Sequence, residues 1–301
     1  MALPWPGAAG AAASPRSDGE ITLLYGPTGV GKTTLWEHVK QQALLVHVRR
    51  DLPGRLPYLY TLADVPMAGT VQMKSFYVAT LAAADEVLIQ HKQLVRPLAA
   101  LQSSWQATTA GLRHATLNML KHRQPIVFCI DEAHHLGIHS TEKQREKNLD
   151  AIKTFADEAT APILMIGSYE LIEFASVSGR LGRRVREVHL SRYDIDGAQD
   201  QRDFRSVVHF FSKRLSCEKY DPNADRRYFH DRTVGCVGLL KQWFERALYR
   251  ALADGRLAVR ERDIREAEPS RAVVNQWSAE INDGEARLRV LATAKHPTLK
   301  G

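Results

Sequence analysis

Cysteines and long apolar runs are both scarce in this sequence, and each scarcity excludes a class of protein. The 301 residues include three cysteines, and Cys129, Cys217 and Cys236 are scattered without the spacing of a metal site. Reduced thiols in a cytosolic protein are the simplest interpretation. No apolar run reaches the roughly 18 residues that a membrane-spanning helix requires, so we expect a protein without a membrane segment.

The N-terminus also lacks the marks of a secretory signal. Residues 1–19 are small and rich in proline and glycine, without an early positive charge or a leucine-rich stretch. We interpret them as a disordered arm. The whole chain has the composition of a soluble globular protein, with 44% apolar and 25% charged residues. A formal charge of +7 favours a polyanionic partner, although many basic proteins bind no nucleic acid.

Short apolar runs alternate with helical patterns across residues 20–191. The first run, EITLLY, ends at a glycine turn, as expected for a buried parallel strand. Four further runs are predicted strands: LPYLYTL, PIVFCI, APILMIGS and VREVHL. The helical patterns between them are TTLWEHVKQQALLVHV, a stretch from Val71, residues 105–121 and residues 141–159. This alternation predicts an α/β fold, with a parallel sheet covered by helices on both faces.

The strand patterns stop at about Ser191. Two amphipathic stretches follow and predict a smaller helical domain over residues 192–268. These stretches are QDQRDFRSVVHFFSKRL and VGLLKQWFERALYRALADG. Residues 269–301 have weak periodicity, and we interpret them as a flexible C-terminal tail.

Residues 26–33 match the phosphate-loop pattern G-x-x-x-x-G-K-[S/T] without departure. Glycines let backbone N–H groups wrap around phosphates, and the helix start behind them favours negative charge. Lys32 supplies a positive charge near the terminal phosphates, and the Thr33 hydroxyl can bind Mg²⁺. The predicted strand before the loop and helix after it are the context that this motif requires. The expected nucleotide-binding residues of the loop are Gly26, Pro27, Thr28, Gly29, Val30, Gly31, Lys32, Thr33 and Thr34.

An acidic pair follows the third predicted strand. Asp131 emerges at the carboxyl end of that strand, where ligands bind in open α/β sheets, and it can hold Mg²⁺ through water. Glu132 points in a different direction and can orient or polarise an attacking water. The alternative is a surface acidic pair at a strand end. With the phosphate loop upstream, adjacent carboxylates favour hydrolysis over transfer to a bound metabolite.

Two further polar positions each have a functional and a structural interpretation. Ser168 ends the fourth predicted strand, beside the strand that carries Asp131, and can hydrogen-bond the attacking water or the γ-phosphate. The alternative is that Ser168 caps the helix that follows. Lys241 lies near the start of a helix in the predicted helical domain and can contact the nucleotide. The alternative there is an ordinary surface lysine on an amphipathic helix.

A cluster of arginines precedes the fifth predicted strand. Arg180, Arg183, Arg184 and Arg186 fall within seven positions. The first three are placed to reach a neighbouring subunit, where an arginine supplied in trans stabilises the charge of phosphoryl transfer. A solvated basic turn or a DNA contact is the alternative.

These segments, in this order, resemble the AAA+ ATPases, and closely the TnsC/TniB group of transposition regulators. The segments that carry the resemblance are GPTGVGKTTL, VFCIDEAHHL, ILMIGSYEL, GRLGRRV and GCVGLLKQWFERAL. The first two are common to many ATPases, and the others narrow the choice. The resemblance covers residues 20–268. It implies a P-loop AAA+ core with a parallel sheet flanked by helices over residues 20–191, and a small C-terminal helical lid domain over residues 192–268.

The resemblance assigns roles to the candidate residues. ATP and Mg²⁺ are the implied cofactors, with Thr33 and Asp131 on the metal. Ser168 is the implied first sensor, and Lys241 is the implied lid sensor of the nucleotide. One arginine of the cluster is the implied finger. The implied catalytic residues are Lys32, Asp131, Glu132, Ser168 and Arg183 or Arg184.

The resemblance also implies partners. Members of the group choose target DNA, hand it to a transposase and form ATP-dependent spirals on duplex DNA. We therefore expect a ring or helical homo-oligomer on duplex DNA, with sequence-independent backbone contacts. Lys74, in the segment after the second strand, is the expected DNA contact. A transposase and target-selector proteins are the expected partners, a membrane is not, and the expected location is the bacterial cytoplasm.

Other functions remain open at this point. An IstB-like or helicase-loader ATPase shares the phosphate loop and the acidic pair and also binds DNA. A secretion-linked AAA+ ATPase of the ExeA type shares the core but usually adds a transmembrane helix. A nucleotide-dependent scaffold that hydrolyses little is a further alternative, and the C-terminal tail can be a peptide that docks a transposase. A metal site at His134, His135 and His139 is not favoured, because no further ligand completes it nearby.

Overall fold

The structure, a computed structural model of the 301-residue chain, is built on a parallel β-sheet. Among the residues it describes, no helix has the length and apolar character needed to cross a membrane. The predicted N-terminal arm lies outside the described residues. The described residues are 20–63, 73–85, 108–136, 152, 154–155, 157–159, 161–172, 185–217, 220–222 and 224–295.

Five parallel strands form the sheet in the order β2-β3-β4-β1-β5. Ile21 pairs with Ile163 on one side and with Val185 on the other, so β1 lies between β4 and β5. This sheet, flanked by helices, confirms the predicted α/β fold. The strands are β1 (Ile21–Tyr25), β2 (Leu59–Leu62), β3 (Phe128–Asp131), β4 (Ile163–Gly167) and β5 (Val185–His189).

The apolar runs become strands because both faces of the sheet are covered. Ile21, Leu23 and Tyr25 belong to one buried cluster, whereas Leu24 belongs to another that includes Trp36. Successive side chains of a strand point to opposite faces. An uninterrupted apolar run is therefore what a strand covered on both sides requires.

Three predicted patterns begin and end within two residues of a helix, at Lys32–Arg50, Ala198–Arg214 and Val237–Ala253. The pattern over residues 105–121 corresponds to a helix that begins at Thr109, and the helix Arg226–Thr233 was not predicted. Of the predicted helix over residues 141–159, the described residues 152, 154, 155, 157 and 158 are helical. Short 3-10 helices follow β3 and β4, at Ala133–Leu136 and Tyr169–Leu171. The labelled helices of the described residues are α1 (Lys32–Arg50), α2 (Met73–Ala83), α3 (Thr109–Arg123), α4 (Ala198–Arg214), α5 (Arg226–Thr233), α6 (Val237–Ala253), α7 (Glu261–Glu266) and α8 (Arg271–Lys295).

Helices α4 to α7 pack around their own buried cluster, which includes Phe204, Phe229 and Trp243. Trp243 has no exposed surface, and its Nε1 donates a hydrogen bond to the carbonyl oxygen of Ile264 at 2.8 Å. The indole N–H is thus satisfied inside an apolar environment. Residues 192–268 are called the helical segment below. Their amphipathic patterns arise because one face of each helix packs into this cluster.

The C-terminal residues differ from the expectation of a flexible tail, because Arg271–Lys295 form the 25-residue helix α8. Ile281 is 2% exposed, and Gly284 is also buried. Leu288 and Leu291 pack against the core cluster of the sheet. One face of α8 is therefore held by the rest of the protein. The sequence shows this face weakly because a glycine occupies one of its central positions.

Candidate nucleotide-binding site

Three of the predicted site segments meet at the carboxyl edge of the sheet. Gly26 follows β1, Asp131 ends β3, and Ser168 follows β4. The strands β3, β4 and β1 are parallel neighbours. Their carboxyl ends therefore lie side by side, at the edge where open α/β sheets bind ligands.

The phosphate loop has a backbone shape that depends on its glycines. Gly29 and Gly31 have φ values of +76° and +114°, in the left-handed region that glycine adopts readily. A Cβ on Gly26 would lie 2.2 Å from the carbonyl oxygen of Leu190. Among the described atoms, none lies within 4 Å of where a Cβ on Gly31 would be. The loop is thus closely packed at its start and open where it enters α1.

Lys32 lies in the first turn of α1 and points back over the loop. Its Nζ donates hydrogen bonds to the carbonyl oxygens of Gly26 at 2.8 Å and Pro27 at 2.9 Å. Burial lowers the pKa of Lys32, whereas the negative charges of Glu132 and Glu280 act to raise it. A partly buried ammonium group therefore lies at the centre of the loop, within electrostatic range of carboxylates from two other elements.

The acidic pair is fixed by a residue that the sequence analysis missed. Tyr60 of β2 donates a hydrogen bond from its hydroxyl to Asp131 Oδ2 at 2.9 Å, and the backbone N–H of Glu132 donates to Asp131 Oδ1 at 2.8 Å. Burial and the bond to Asp131 raise the pKa of Tyr60, so its hydroxyl stays a donor. The ring also stacks on Trp36 of α1, with centroids 5.6 Å apart. Tyr60 thus connects Asp131 to the helix behind the phosphate loop.

Glu132 and Ser168 are connected through His134. The Nδ1 of His134 lies 3.3 Å from Glu132 Oε2 and 3.4 Å from the backbone nitrogen of Ser168. Burial, with the neighbouring His135, lowers the pKa of His134 to about 4, so the ring is neutral at pH 7. A neutral Nδ1 either donates to Glu132 or accepts from Ser168.

The backbone of Glu132 is also unusual, and its side chain remains accessible. Its φ is +50°, a conformation that costs free energy for any residue with a Cβ, and its side chain is 49% exposed. A carboxylate O of Glu132 and a ring nitrogen each of His134 and His135 lie within 4.8 Å of one another. His139, the third histidine considered in the sequence, lies outside the described residues, and the prediction against a histidine metal site remains a prediction.

The side chain of Ser168 does not cap the turn that follows this residue. It occupies the N-cap position of the 3-10 helix Tyr169–Leu171 without a side-chain capping hydrogen bond. Within the described residues, its buried Oγ has no hydrogen-bond partner. A buried hydroxyl without a hydrogen-bond partner costs free energy. The Ser168 hydroxyl is therefore available to bind a ligand at the edge of the sheet.

The phosphate loop makes direct backbone contact with the helical segment. The N–H of Gly238, in the first turn of α6, donates to the carbonyl oxygen of Gly29 at 2.6 Å. Leu239 packs on the same glycine. Lys241 lies one turn further along α6, with a side chain 60% exposed and 3.5 Å from Glu245. The predicted nucleotide contact of Lys241 remains a prediction, whereas the contact at Gly238 was missed.

The remaining predicted site residues lie away from this edge or beyond the described residues. Lys74 is half-buried in the first turn of α2, and its contact with DNA remains a prediction. Arg180, Arg183 and Arg184 lie outside the described residues. Arg186 is described on β5, where it is exposed and lies 3.5 Å from a carboxylate of Glu20.

Comparison with known sequences identifies the family. A sequence model described as an AAA domain matches residues 16–174, more than half of the 301-residue chain. The chain belongs to the AAA domain family. The matched range contains the phosphate loop and the acidic pair, so this AAA domain has the core of a P-loop ATPase. No curated protein matches the chain.

Solved structures of archaeal proteins share the fold. The Aeropyrum pernix ORC1 protein, in complex with DNA, has a TM-score of 0.58 at 15% identity and covers 82% of this chain and 58% of its own. The ORC2 protein of the same organism, in ADPNP–ADP complexes, has a TM-score of 0.54 at 16% identity and covers 83% of this chain and 61% of its own. A Walker-type ATPase of Pyrococcus abyssi has a TM-score of 0.50 at 14% identity, with coverages of 92% and 72%.

The AAA domain chain spans about three fifths of the length of the two ORC chains. At these identities the likeness shows the fold alone. The expected AAA+ core is therefore supported by the family match and by the fold, and its biological role has to be argued from the site.

Proposed function

We propose that this AAA domain protein is an ATP-dependent DNA-binding regulator of transposition, of the TnsC/TniB kind. ATP binding assembles copies of the chain into a ring or helix on duplex DNA. The assembly recruits or activates a transposase at sites that target-selector proteins choose, and ATP hydrolysis dissolves it. The motif segments quoted from the sequence support the specific group, and the family match supports the ATPase core.

The observation that carries the proposal is the backbone contact between the phosphate loop and the helical segment. The carbonyl of Gly29 is directly hydrogen-bonded to the N–H of Gly238 at 2.6 Å. Hence a ligand that reshapes the loop also displaces the start of α6. A nucleotide-dependent change of shape, rather than chemistry on a second substrate, is what such a contact provides.

The residues of the site suit ATP with Mg²⁺. Positive-φ glycines form a loop open on one side, Lys32 provides an ammonium group, and Thr33 is exposed at the start of α1. ATP would supply the bond to the γ-phosphate that is cleaved, and Mg²⁺ would offset the negative charge of the phosphates. Thr33 and Asp131 would hold the metal, with Asp131 oriented by Tyr60.

Glu132 is the proposed base that orients water, and its accessible carboxylate supports that role. The free hydroxyl of Ser168 is the proposed first sensor, and His134 links these two residues. Arg183 or Arg184 of a neighbouring copy is the proposed finger. Activity would then depend on assembly, because each site is completed by the next subunit.

Duplex DNA is the proposed polyanionic partner. The formal charge of +7 favours it, and the ORC1 structure of similar fold was solved in complex with DNA. A second candidate is an IstB-like or helicase-loader ATPase, which shares the phosphate loop and the acidic pair and would bind DNA by the same core. The two candidates differ in the protein that the assembly recruits, a transposase or a replicative helicase.

The test compares Glu132→Gln with the parent protein on a fluorescent DNA duplex in the presence of ATP. Complexes should form with ATP and not with ADP, weaken as salt rises, and persist roughly 100-fold longer in E132Q, because the general base is lost. Glu37→Gln is the matched control: it removes one exposed carboxylate of α1 that pairs with Lys40 and should leave the lifetime unchanged.

Two results would reject parts of the proposal. If E132Q released DNA as quickly as the parent, hydrolysis would not be the timer. If no nucleotide changed DNA binding at all, the proposed function as an ATP-dependent DNA-binding regulator would be rejected. Recruitment of a replicative helicase but not a transposase by the DNA-bound assembly would favour the second candidate.

A further inference from the structure

The C-terminal helix α8 packs across the junction between the phosphate loop and the helical segment. Ile281 is buried in one cluster with Val234, Cys236 and Leu239, which lie within four positions of Gly238. Further along, Leu288 and Leu291 pack against the core of the sheet. The helix therefore bridges the two parts that the proposed function requires to move relative to one another.

A close backbone contact and an ion pair hold α8 in this position. A Cβ on Gly284 would lie 2.1 Å from the ring of Tyr169, so the backbone of α8 rests directly on the turn that follows β4. Glu285 accepts two hydrogen bonds from Arg192, at 2.9 Å and 3.2 Å, and both side chains are mostly buried. A mostly buried bidentate pair of this kind fixes orientation as well as position.

The same helix brings a carboxylate to the phosphate loop. Glu280 Oε1 accepts a hydrogen bond from the hydroxyl of Thr28 at 3.3 Å. Thr28 is the exposed residue between Pro27 and the positive-φ Gly29. The charge of Glu280 also acts on Lys32, the residue whose ammonium group reaches the terminal phosphates in loops of this pattern.

We propose that Glu280 is a specificity-determining residue that disfavours ATP relative to ADP, and that ATP binding displaces α8 from the loop. This inference rests on the proposed nucleotide binding. A negative side chain held at the loop repels bound phosphates, and it repels the additional charge of the γ-phosphate more than the diphosphate. The triphosphate therefore binds tightly only when Glu280 moves away from Thr28. This movement of α8 is transmitted to the sheet and to the helical segment, because α8 packs against both.

The test measures the Kd values of fluorescent ATP and ADP analogues, with Mg²⁺, for the parent and for Glu280→Gln. The variant keeps the size of the side chain and removes its charge. Because Glu280 is exposed, the repulsion is screened, and the Kd for ATP should fall roughly three- to tenfold. The Kd for ADP should change less than about twofold, because ADP lacks the γ-phosphate and its repulsion by Glu280 is weaker.

Asp283→Asn provides the matched control. Asp283 lies on the same helix, is exposed and pairs with Arg287, so this variant removes an equal charge without a contact to the loop. A second readout uses the parent protein alone: backbone hydrogen exchange within α8 should increase with a non-hydrolysable ATP analogue and not with ADP.

Each outcome decides the inference. An ATP-to-ADP preference that is unchanged in E280Q, or shifted equally in D283N, would overturn the role of Glu280. Exchange in α8 that ignores the analogue would overturn the displacement. A parent protein that binds neither nucleotide would overturn the proposed function and this inference together, whereas binding without discrimination would overturn the inference alone.

Discussion

Gly238→Ala tests whether the phosphate loop and the helical segment act as one unit. A Cβ at this position would lie 2.6 Å from the carbonyl oxygen of Gly29 and 3.0 Å from its Cα. Both opposing atoms belong to the backbone of the loop, so they cannot move aside as a flexible side chain would. The loop or the start of α6 must shift, and the 2.6 Å hydrogen bond between them is lost or stretched.

The magnitude follows from two destabilising contributions and one stabilising contribution. Overpacking against backbone costs about 1 to 3 kcal/mol, and the lost hydrogen bond adds about 1 kcal/mol. Alanine favours a helix over glycine by up to about 1 kcal/mol, which offsets part of this in the free energy of unfolding. Because the strain falls on the loop, ATP affinity should drop roughly 5- to 150-fold while the protein remains folded.

The assay is a titration with a fluorescent ATP analogue, accompanied by a thermal melt of each variant. Gly197→Ala is the matched control, since a Cβ there would have its nearest atoms at 3.6 Å, an ordinary contact. We expect G197A to bind ATP as the parent does. If G238A also bound ATP with the parent's Kd, the coupling between the loop and α6 would be refuted.

Three further predictions concern the same framework. Tyr60→Phe removes the hydroxyl that orients Asp131; the Mg²⁺ concentration for half-maximal ATPase activity should rise about 10-fold, whereas nucleotide binding without Mg²⁺ should stay the same. Asp263→Asn breaks the buried pair with Arg256, whose two bonds are both 2.7 Å, and urea titration at pH 7 should show a loss of about 2 to 4 kcal/mol. The Arg256 bonds depress the pKa of Asp263 to about 2. The stability from this pair is therefore present above pH 4 and is lost as the pH falls towards 2. The difference in the free energy of unfolding between parent and variant should narrow over that range. Lys32→Ala should abolish ATP binding in the titration, and retained binding would contradict the role of the loop.

The fold was largely predictable because its strongest patterns are local. Apolar runs such as EITLLY are what a strand covered on both faces requires, and β1 occupies Ile21–Tyr25 as expected. The phosphate loop was equally clear, since its glycines are needed for φ values that other residues rarely adopt. Asp131 followed from its place at the end of an apolar strand.

The parts that the sequence did not predict depend on contacts between distant residues. Tyr60 reaches Asp131 only because β2 pairs with β3 in a register that aligns Leu62 with Asp131. The contact between Gly238 and Gly29 joins residues more than two hundred positions apart in the sequence, so no local pattern predicts it. The sequence does not predict helix α8, because a glycine lies at the centre of its packed face. Only glycine fits at position 284, since the ring of Tyr169 leaves no room for a side chain.

The most direct test of the central claim is the mass of the protein on a short DNA duplex, measured by mass photometry with a non-hydrolysable ATP analogue, with ADP and without nucleotide. We expect DNA-bound oligomers with the analogue and none with ADP or without nucleotide, and no oligomers of Lys32→Ala under any condition. Monomers free of DNA in the presence of the analogue would contradict it, as would assemblies that form equally well with ADP.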